Sequence, residues 1–304
     1  MGTGGDHGLT GPLALNAIVM PSLTLPAPAK LNLFLQITGR RDSGYHDLQS
    51  FFTVLEWGDT VTLTVRRDGQ ITRSLAVEGV PIDQDITVRA AHALREVSGD
   101  PSLGADIGVI KRTPMGGGMG GGSSDAATVL VGLNHLWELG LSRDRLAAIG
   151  LELGADVPFF VHGDSAWVEG IGETITPVAR PRRWYLCVRP AVHADTGKIF
   201  ADEGLTRDSK PVKISDFIEG RVSGNAFESV LRRREPSVGH LFALLSAVGT
   251  PQLTGTGSVV FVEFSDCDSA QNALRSLPPG LNAWVAASAT TAPLWAALHD
   301  NQDT

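Results

Sequence analysis

Six glycines crowd the segment Pro114, Met115, Gly116, Gly117, Gly118, Met119, Gly120, Gly121, Gly122, Ser123, Ser124. Glycine loses more backbone freedom on ordering than any other residue, so this run calls for a ligand. Without Cβ atoms the chain can wrap an anion and aim successive N–H groups at it. A strand pattern precedes the run. A helix is expected to begin near Ser123, turning its free N–H groups and positive dipole end to the same point. Ser123 and Ser124 add hydroxyls that can donate to a phosphate or face a metal. A flexible linker is the competing reading, but linkers do not run from strand to helix inside a domain. Two other phosphate loops do not fit. The P-loop ends in Gly-Lys-Ser/Thr, and no lysine follows these glycines. Gly116, Gly118 and Gly121 satisfy G-x-G-x-x-G, which means little in so dense a run. The acid that should close a following strand is here Glu138, inside a helical pattern.

Asp156 follows a helix stop at Gly154 and precedes Val157 and Pro158, a context that favours a turn. By residue type it is either a candidate base or a helix-terminal acid facing water. Lys30 lies on a strand whose apolar residues alternate; it is either a solvated outward lysine or a cation aimed at a reacting centre. Asn32, two residues on, shares its face. Tyr45 and His46 offer an aromatic face and two ring nitrogens, unless they are an ordinary packed turn. Lys111 and Arg112 precede the glycines, and Lys111 is the favoured partner for a nucleotide. His92, His135 and His162 show no metal-ligand spacing, and no metal site made of protein side chains is expected.

These residues need a scaffold. Leu31, Leu33, Leu35 and Ile37 alternate with polar or larger neighbours over 29–37, the strand period. Further strands are expected over 51–55, 60–65 and 107–110, with a hairpin turn at Asp68 and Gly69. Helices are expected over 88–97, after the glycines to Trp137, and from Ser142 as N-cap to Gly154. Pro177, Pro181, Arg180, Arg182 and Arg183 break the apolar pattern. They divide a disordered leader (1–22) and a first domain (23–178) from a second domain (179–304). That second half carries helices near 215–234 and 237–248 and strands near 184–188, 259–264 and 283–287, an α+β pattern.

The 304 residues carry a formal net charge of −8, which disfavours nucleic acid as a partner. An anionic substrate would need local positive potential against that field. No apolar run reaches the roughly 20 residues needed to span a bilayer, so no membrane partner is expected. The first 25 residues contain no Lys or Arg, unlike a secretory or transit signal. Two cysteines, Cys187 and Cys267, imply no disulfide framework and suit the reducing cytoplasm. A monomer or weak homodimer is expected.

The glycine segment is similar to the central ATP-binding motif of the GHMP kinases. Three further segments resemble that superfamily, and most closely its branch acting on a cytidine diphosphate-bearing alcohol. They are Pro28-Ala29-Lys30-Leu31-Asn32-Leu33 with Gly44-Tyr45-His46-Asp47-Leu48-Gln49, Gly154-Ala155-Asp156-Val157-Pro158-Phe159-Phe160, and Leu253-Thr254-Gly255-Thr256-Gly257-Ser258. The resemblance spans about 26–298 and implies a two-lobed α+β GHMP kinase fold. Its N-terminal lobe would be ribosomal S5 domain 2-like and its C-terminal lobe ferredoxin-like, with the site between them. It implies ATP as phosphate donor, Mg²⁺ riding on the nucleotide, and a small-molecule acceptor in isoprenoid biosynthesis. Asp156 would take the proton of the acceptor 2-hydroxyl, Lys30 would keep that acid charged and stabilise the moving phosphoryl group, and Asn32 would orient the hydroxyl. Tyr45 would stack on the cytosine, His46 bond its edge, Phe200 close the other face, and Thr196 touch the substrate. Asp85 departs from the pattern, which has Asn near there in the adenine pocket. Another GHMP kinase with a different acceptor, or a non-catalytic nucleotide-binding relative, are the alternatives; Tyr45 with His46 argues against the first, and Lys30 with Asp156 against the second.

Overall fold

Strand β1 (Ser22–Arg40) pairs antiparallel with β2 (His46–Arg66) almost end to end, which makes both longer than their apolar patterns suggest. The computed structural model describes residues 20–42, 44–75, 79–192 and 195–301, and residues 1–19 of the expected leader lie outside them. The strands expected over 51–55 and 60–65 are one. Gly58 keeps them continuous by lying opposite Pro28, where a Cβ would meet the Ala27 carbonyl oxygen at 2.2 Å.

The register of β1 slips between Pro28 and Lys30 and again between Asn32 and Phe34. Such irregularities re-aim side chains, and here they swap the faces of the strand. Leu23, Leu25 and Ala27 enter one core with the helices that cover the sheet, whereas Ala29, Leu31 and Leu33 enter a second core shared with Tyr185 and Phe261. Lys30 and Asn32 are thereby turned toward the helical side, and both are buried. The even positions of this strand are not a solvent face: Lys30 and Asn32 are buried on the helical side, while the second lobe covers Ala29, Leu31 and Leu33.

After β3 (Ile71–Arg73), helix α1 (Ile86–Ser98) is capped by the Asp85 side chain and stopped by Gly99. Strand β4 (Gly104–Ile110) runs into the glycine segment. Asp68 and Gly69 do not close a hairpin: β3 pairs parallel with β4, and β4 with β2. Helix α2 (Gly121–Leu136) starts two residues earlier than expected. Helix α3 (Arg143–Leu153) has Ser142 accepting from the Arg145 N–H and ends at Gly154, followed by α4 (Val157–His162) with proline in its first turn. Strands β5 (Ala166–Gly170) and β6 (Thr174–Pro177) extend the sheet from β2.

The second half builds a four-stranded antiparallel sheet from β7 (Trp184–Arg189) onward. Helices α5 (Thr196–Phe200) and α6 (Ile214–Ile218), strand β8 (Gly224–Asn225), and helices α7 (Glu228–Arg234) and α8 (Pro236–Leu245) follow. The expected helix over 215–234 is thus broken by β8, which leaves its lobe to pair with β1. Then come β9 (Pro251–Leu253), β10 (Val260–Phe264), α9 (Cys267–Ser276), β11 (Asn282–Ala287) and α10 (Pro293–Asp300). The strand order β11-β7-β10-β9, with helices between β7 and β9 and between β10 and β11, is the ferredoxin-like β-α-β-β-α-β arrangement. Helix α10 returns to the first lobe, where Leu294 and Leu298 join its core and the Trp295 indole donates to the Val161 carbonyl at 2.7 Å. The lobes are therefore joined by β8, α10 and the core around Leu31.

Candidate functional site

The glycine loop is held from both lobes. The Val259 N–H donates to the Gly117 carbonyl at 3.3 Å, and the Lys30 N–H to the Met119 carbonyl at 3.0 Å. Gly118 has φ +76°, and a Cβ there would lie 2.2 Å from the Thr254 carbonyl oxygen. Gly120 has φ +72°, and a Cβ there would strike the Phe160 ring at 2.8 Å and crowd Lys30. Both positions need glycine for their conformation and for the close approach. Helix α2 begins without a side-chain cap, so the N–H groups of its first turn have no intrahelical partner. They open on a cleft of about 310 Å³ lined by residues 113–123 with Ile86, Lys111, Thr196, Thr256 and Gly257. Pro114, Met115, Gly116, Gly117, Gly118, Met119, Gly120, Gly121, Gly122 and Ser123 are all on its wall. Ser124 lies just behind it, fully buried, its hydroxyl without a partner.

A second cleft of about 920 Å³ abuts the first, sharing Gly118, Gly120, Thr196 and Thr256. Its lining contains Lys30, Asn32, Asp156, Tyr45, His46 and Phe200. The Lys30 ammonium lies 3.6 Å from Asp156 Oδ2. It donates to Asn32 Oδ1 at 2.5 Å and sits 4.5 Å from the centre of the Phe52 ring. Burial pushes the Lys30 pKa below the ordinary lysine value, and the Asp156 carboxylate partly restores it. Asp156 occupies the N-cap position of α4 with no capping hydrogen bond, which leaves its carboxylate open to the cleft. Asn32 is fixed from all sides. Its amide donates to Ser50 Oγ at 2.9 Å, its backbone N–H donates to Thr254 Oγ1 at 3.0 Å, and Thr254 Oγ1 lies 3.2 Å from its Oδ1. One N–H of its amide remains for an acceptor molecule.

At the far end of this cleft the His46 and Phe200 rings pack at 5.1 Å, and Phe200 meets Phe227 edge-on at 4.8 Å. Tyr45, 62% exposed, lines the same cleft. His46 Nε2 is buried without a partner. Thr196 and Thr256 hydroxyls lie 3.0 Å apart where the two clefts join.

Lys111 does not stand free. Its ammonium bonds Asp59 and reaches Asp125 Oδ2 at 2.6 Å. Burial works to lower its pKa, but the two aspartates outweigh it and raise it. Asp59 also accepts from the backbone N–H groups of Arg112 and Thr113, each at 2.6 Å. Burial and the neighbouring Asp59, opposed by Lys111, push the Asp125 carboxyl up to about 7. Asp85 caps α1 and pairs with Arg73 at 2.7 Å; burial works against its charged form, but Thr87 and Arg73 prevail and lower its pKa.

Sequence reasoning assigned no role to Thr254, Ser50, Asp59, Asp125 or Phe52. Thr254 lies in a recognised glycine segment and Asp125 directly follows the two serines, so both were within reach. Ser50, Asp59 and Phe52 carry no local signal. Among the described residues no group of three or more His, Cys, Asp or Glu side chains is placed to hold a metal ion, and no helix is long and apolar enough to cross a membrane.

The family described as GHMP kinases N terminal domain matches residues 85–164. A protein of Xanthomonas axonopodis pv. citri (strain 306) named 4-diphosphocytidyl-2-C-methyl-D-erythritol kinase is 58% identical over 270 residues, covering 88% of this chain and 91% of that one. A protein of the same name from Xylella fastidiosa (strain 9a5c) is 57% identical over 270 residues, covering 88% and 90%. The crystal structure of a 4-(cytidine 5'-diphospho)-2C-methyl-D-erythritol kinase superposes with TM-score 0.74 at 29% identity, covering 88% of this chain and 100% of that one. Methanococcus jannaschii mevalonate kinase superposes with TM-score 0.62 at 12% identity, covering 90% and 99%, a likeness of fold alone.

Proposed function

The chain belongs to the 4-diphosphocytidyl-2-C-methyl-D-erythritol kinases, a family of GHMP kinases, and from that premise we propose that its two joined clefts carry out one phosphoryl transfer. The donor is ATP, the acceptor is the 2-hydroxyl of 4-diphosphocytidyl-2-C-methyl-D-erythritol, and the products are the 2-phosphate and ADP, a step of non-mevalonate isoprenoid synthesis. The observation that carries this reading is the meeting of an anion-binding cleft and an acceptor cleft at Gly118 and Gly120, with the Lys30–Asp156 pair beside the junction.

The chemistry follows from the parts. The loop N–H groups and the α2 N-terminus hold the triphosphate. The acceptor oxygen attacks the γ-phosphorus, the bond to the β-phosphate oxygen breaks, and ADP leaves. The hydroxyl proton goes to Asp156. The Lys30 ammonium, held in a low-dielectric wall, stabilises charge on the phosphoryl oxygens, and the free Asn32 N–H orients the hydroxyl. Mg²⁺ would arrive with the nucleotide and neutralise its phosphate oxygens. The partly exposed Ser123 and the unpartnered Ser124 hydroxyl are the oxygens suited to it. Lys111 serves the nucleotide by fixing the start of the loop through Asp59 and Asp125. Tyr45, His46, Phe200 and Thr196 receive the cytidine end. A monomer or weak homodimer in the cytoplasm completes the proposal, in keeping with two free cysteines, Cys187 buried.

An acceptor panel tests it. The protein is incubated with ATP and Mg²⁺, and ADP release is followed with the cytidine diphosphate alcohol, mevalonate, homoserine or galactose. Turnover on the cytidine compound is expected. Turnover on another acceptor only would overturn the specificity and spare the kinase.

A further inference from the structure

One wall of the acceptor cleft is held by a side chain that belongs to no recognised motif. Helix α5 has only five residues, and the turn after it leaves carbonyls without following helical N–H groups. Arg207 supplies donors instead. Its guanidinium donates to the carbonyl oxygens of Phe200 and Asp202, each at 2.7 Å, and of Leu205 at 3.0 Å. The same turn is clamped from α7, where Arg233 and Arg234 both pair with the Asp202 carboxylate.

Phe200, whose carbonyl Arg207 holds, is the residue that packs on His46. His46 Nε2 is buried with no protein partner. An orphaned nitrogen of this kind is costly, and the ring that carries it lines the cleft. Tyr45 and Phe200 line the same cleft, so a flat base held there would lie beside the His46 ring. Arg207 itself lines the cleft beside them.

We propose that Arg207 is a positioning residue for base recognition: it pins Phe200 against His46 and so sets the wall of the cleft that a pyrimidine base would meet. The identity of the base rests on the function proposed above; the positioning does not. A planar guanidinium suits three carbonyls at once, which a lysine ammonium on a flexible stem matches less well. Arg207 also acts on the ring electrostatically. The charged groups facing His46 are Arg207 and, at the end of β1, Arg40; after burial, they depress the imidazole pKa. The ring thus favours the neutral form that can offer an acceptor as well as a donor to a base edge.

The test uses Arg207→Gln and Arg207→Lys in the full-length protein. In Arg207→Gln the KM for the cytidine diphosphate alcohol is expected to rise about tenfold or more, with KM for ATP within about twofold. In Arg207→Lys the KM for the acceptor recovers in part. In the ligand-free protein the His46 ring is titrated by NMR. Its pKa should rise in Arg207→Gln and stay near the parent value in Arg207→Lys. Parallel changes in both KM values, or an unmoved His46 titration, would overturn the proposal. If the parent protein does not use the cytidine compound, the functional reading fails, and the His46 titration still decides the role of Arg207. If Arg207→Gln does not fold, the Lys variant decides alone: an acceptor KM identical to the parent would overturn the positioning role.

Discussion

The Lys30 ammonium stands 3.6 Å from the Asp156 carboxylate, with the lysine side chain 4% exposed and the aspartate 31%. A lysine this buried needs compensation for the water it has lost. It finds that in Asp156, in Asn32 Oδ1 and in the face of Phe52. The asymmetry is the functional point. The cation is locked in the wall, while the acid stays open to the cleft in which an acceptor hydroxyl would lie.

Asp156→Asn keeps the shape of the side chain and removes its capacity to take a proton. We expect kcat to fall about 10²–10⁴-fold, the usual contribution of a positioned base, with KM for ATP little changed. Steady-state kinetics with the cytidine diphosphate alcohol measures it. Turnover close to the parent would reduce Asp156 to a substrate-positioning role.

The same pair predicts an alkaline limit. Burial holds the Lys30 pKa below 10.5, and Asp156 opposes that shift. A lysine is charged below its pKa, so activity that needs the ammonium is lost as pH rises through the depressed value. In Asp156→Asn the opposing attraction is gone, and the alkaline limb of kcat should move to still lower pH. Identical limbs in the two proteins would show that Lys30 does not set the limit.

Much of this site was legible because its parts are local. The glycine segment between a strand and a helix, the Ser142 cap and the Gly154 stop each follow from a few adjacent residues. The burial of Lys30 and Asn32 was not legible. Their alternation with Leu31 and Leu33 reads as one wet face, and only the slipped register of β1 and the second lobe above it turn both faces inward. The expected strands over 51–55 and 60–65 stop on either side of Gly58, yet that glycine is required by the close passage of Ala27 and keeps the strand continuous. Asp68 and Gly69 have hairpin chemistry, but β3 is placed by pairing with β4, a long-range choice. The Lys111 triad joins residues from β2, the end of β4 and α2, and no short window contains it.

That triad makes stability depend on pH. The Asp125 pKa is pushed up from 3.8 to about 7, by burial and by Asp59 against the attraction of Lys111. The folded protein therefore keeps a proton that the unfolded chain releases between about pH 4 and pH 7. Stability is greatest at the acid end of this window and declines as pH rises through it, by up to about 1.4 kcal/mol per pH unit from this group. Lys111, also raised, acts only above 10.5. Asp125→Asn removes the titrating group, so its melting temperature should vary less from about pH 5 to pH 8 and exceed the parent's at the upper end. Parallel profiles would refute the assignment.

Thr254 tests the contact between the lobes. Its hydroxyl accepts from the Asn32 backbone N–H and lies within donating distance of Asn32 Oδ1 and the Gly118 carbonyl. Thr254 and Asn32 are both buried. Thr254→Val conserves the shape and leaves that N–H without an acceptor, which costs about 1–3 kcal/mol. It also frees two groups that line the larger cleft, the Asn32 amide and Gly118. We expect unfolding by denaturant at correspondingly lower concentration and a kcat lowered about tenfold. Thr254→Ser restores the hydroxyl and should recover most of both losses. If the Val variant lost stability but kept full kcat, Thr254 would be a structural tie between the lobes with no part in placing Asn32.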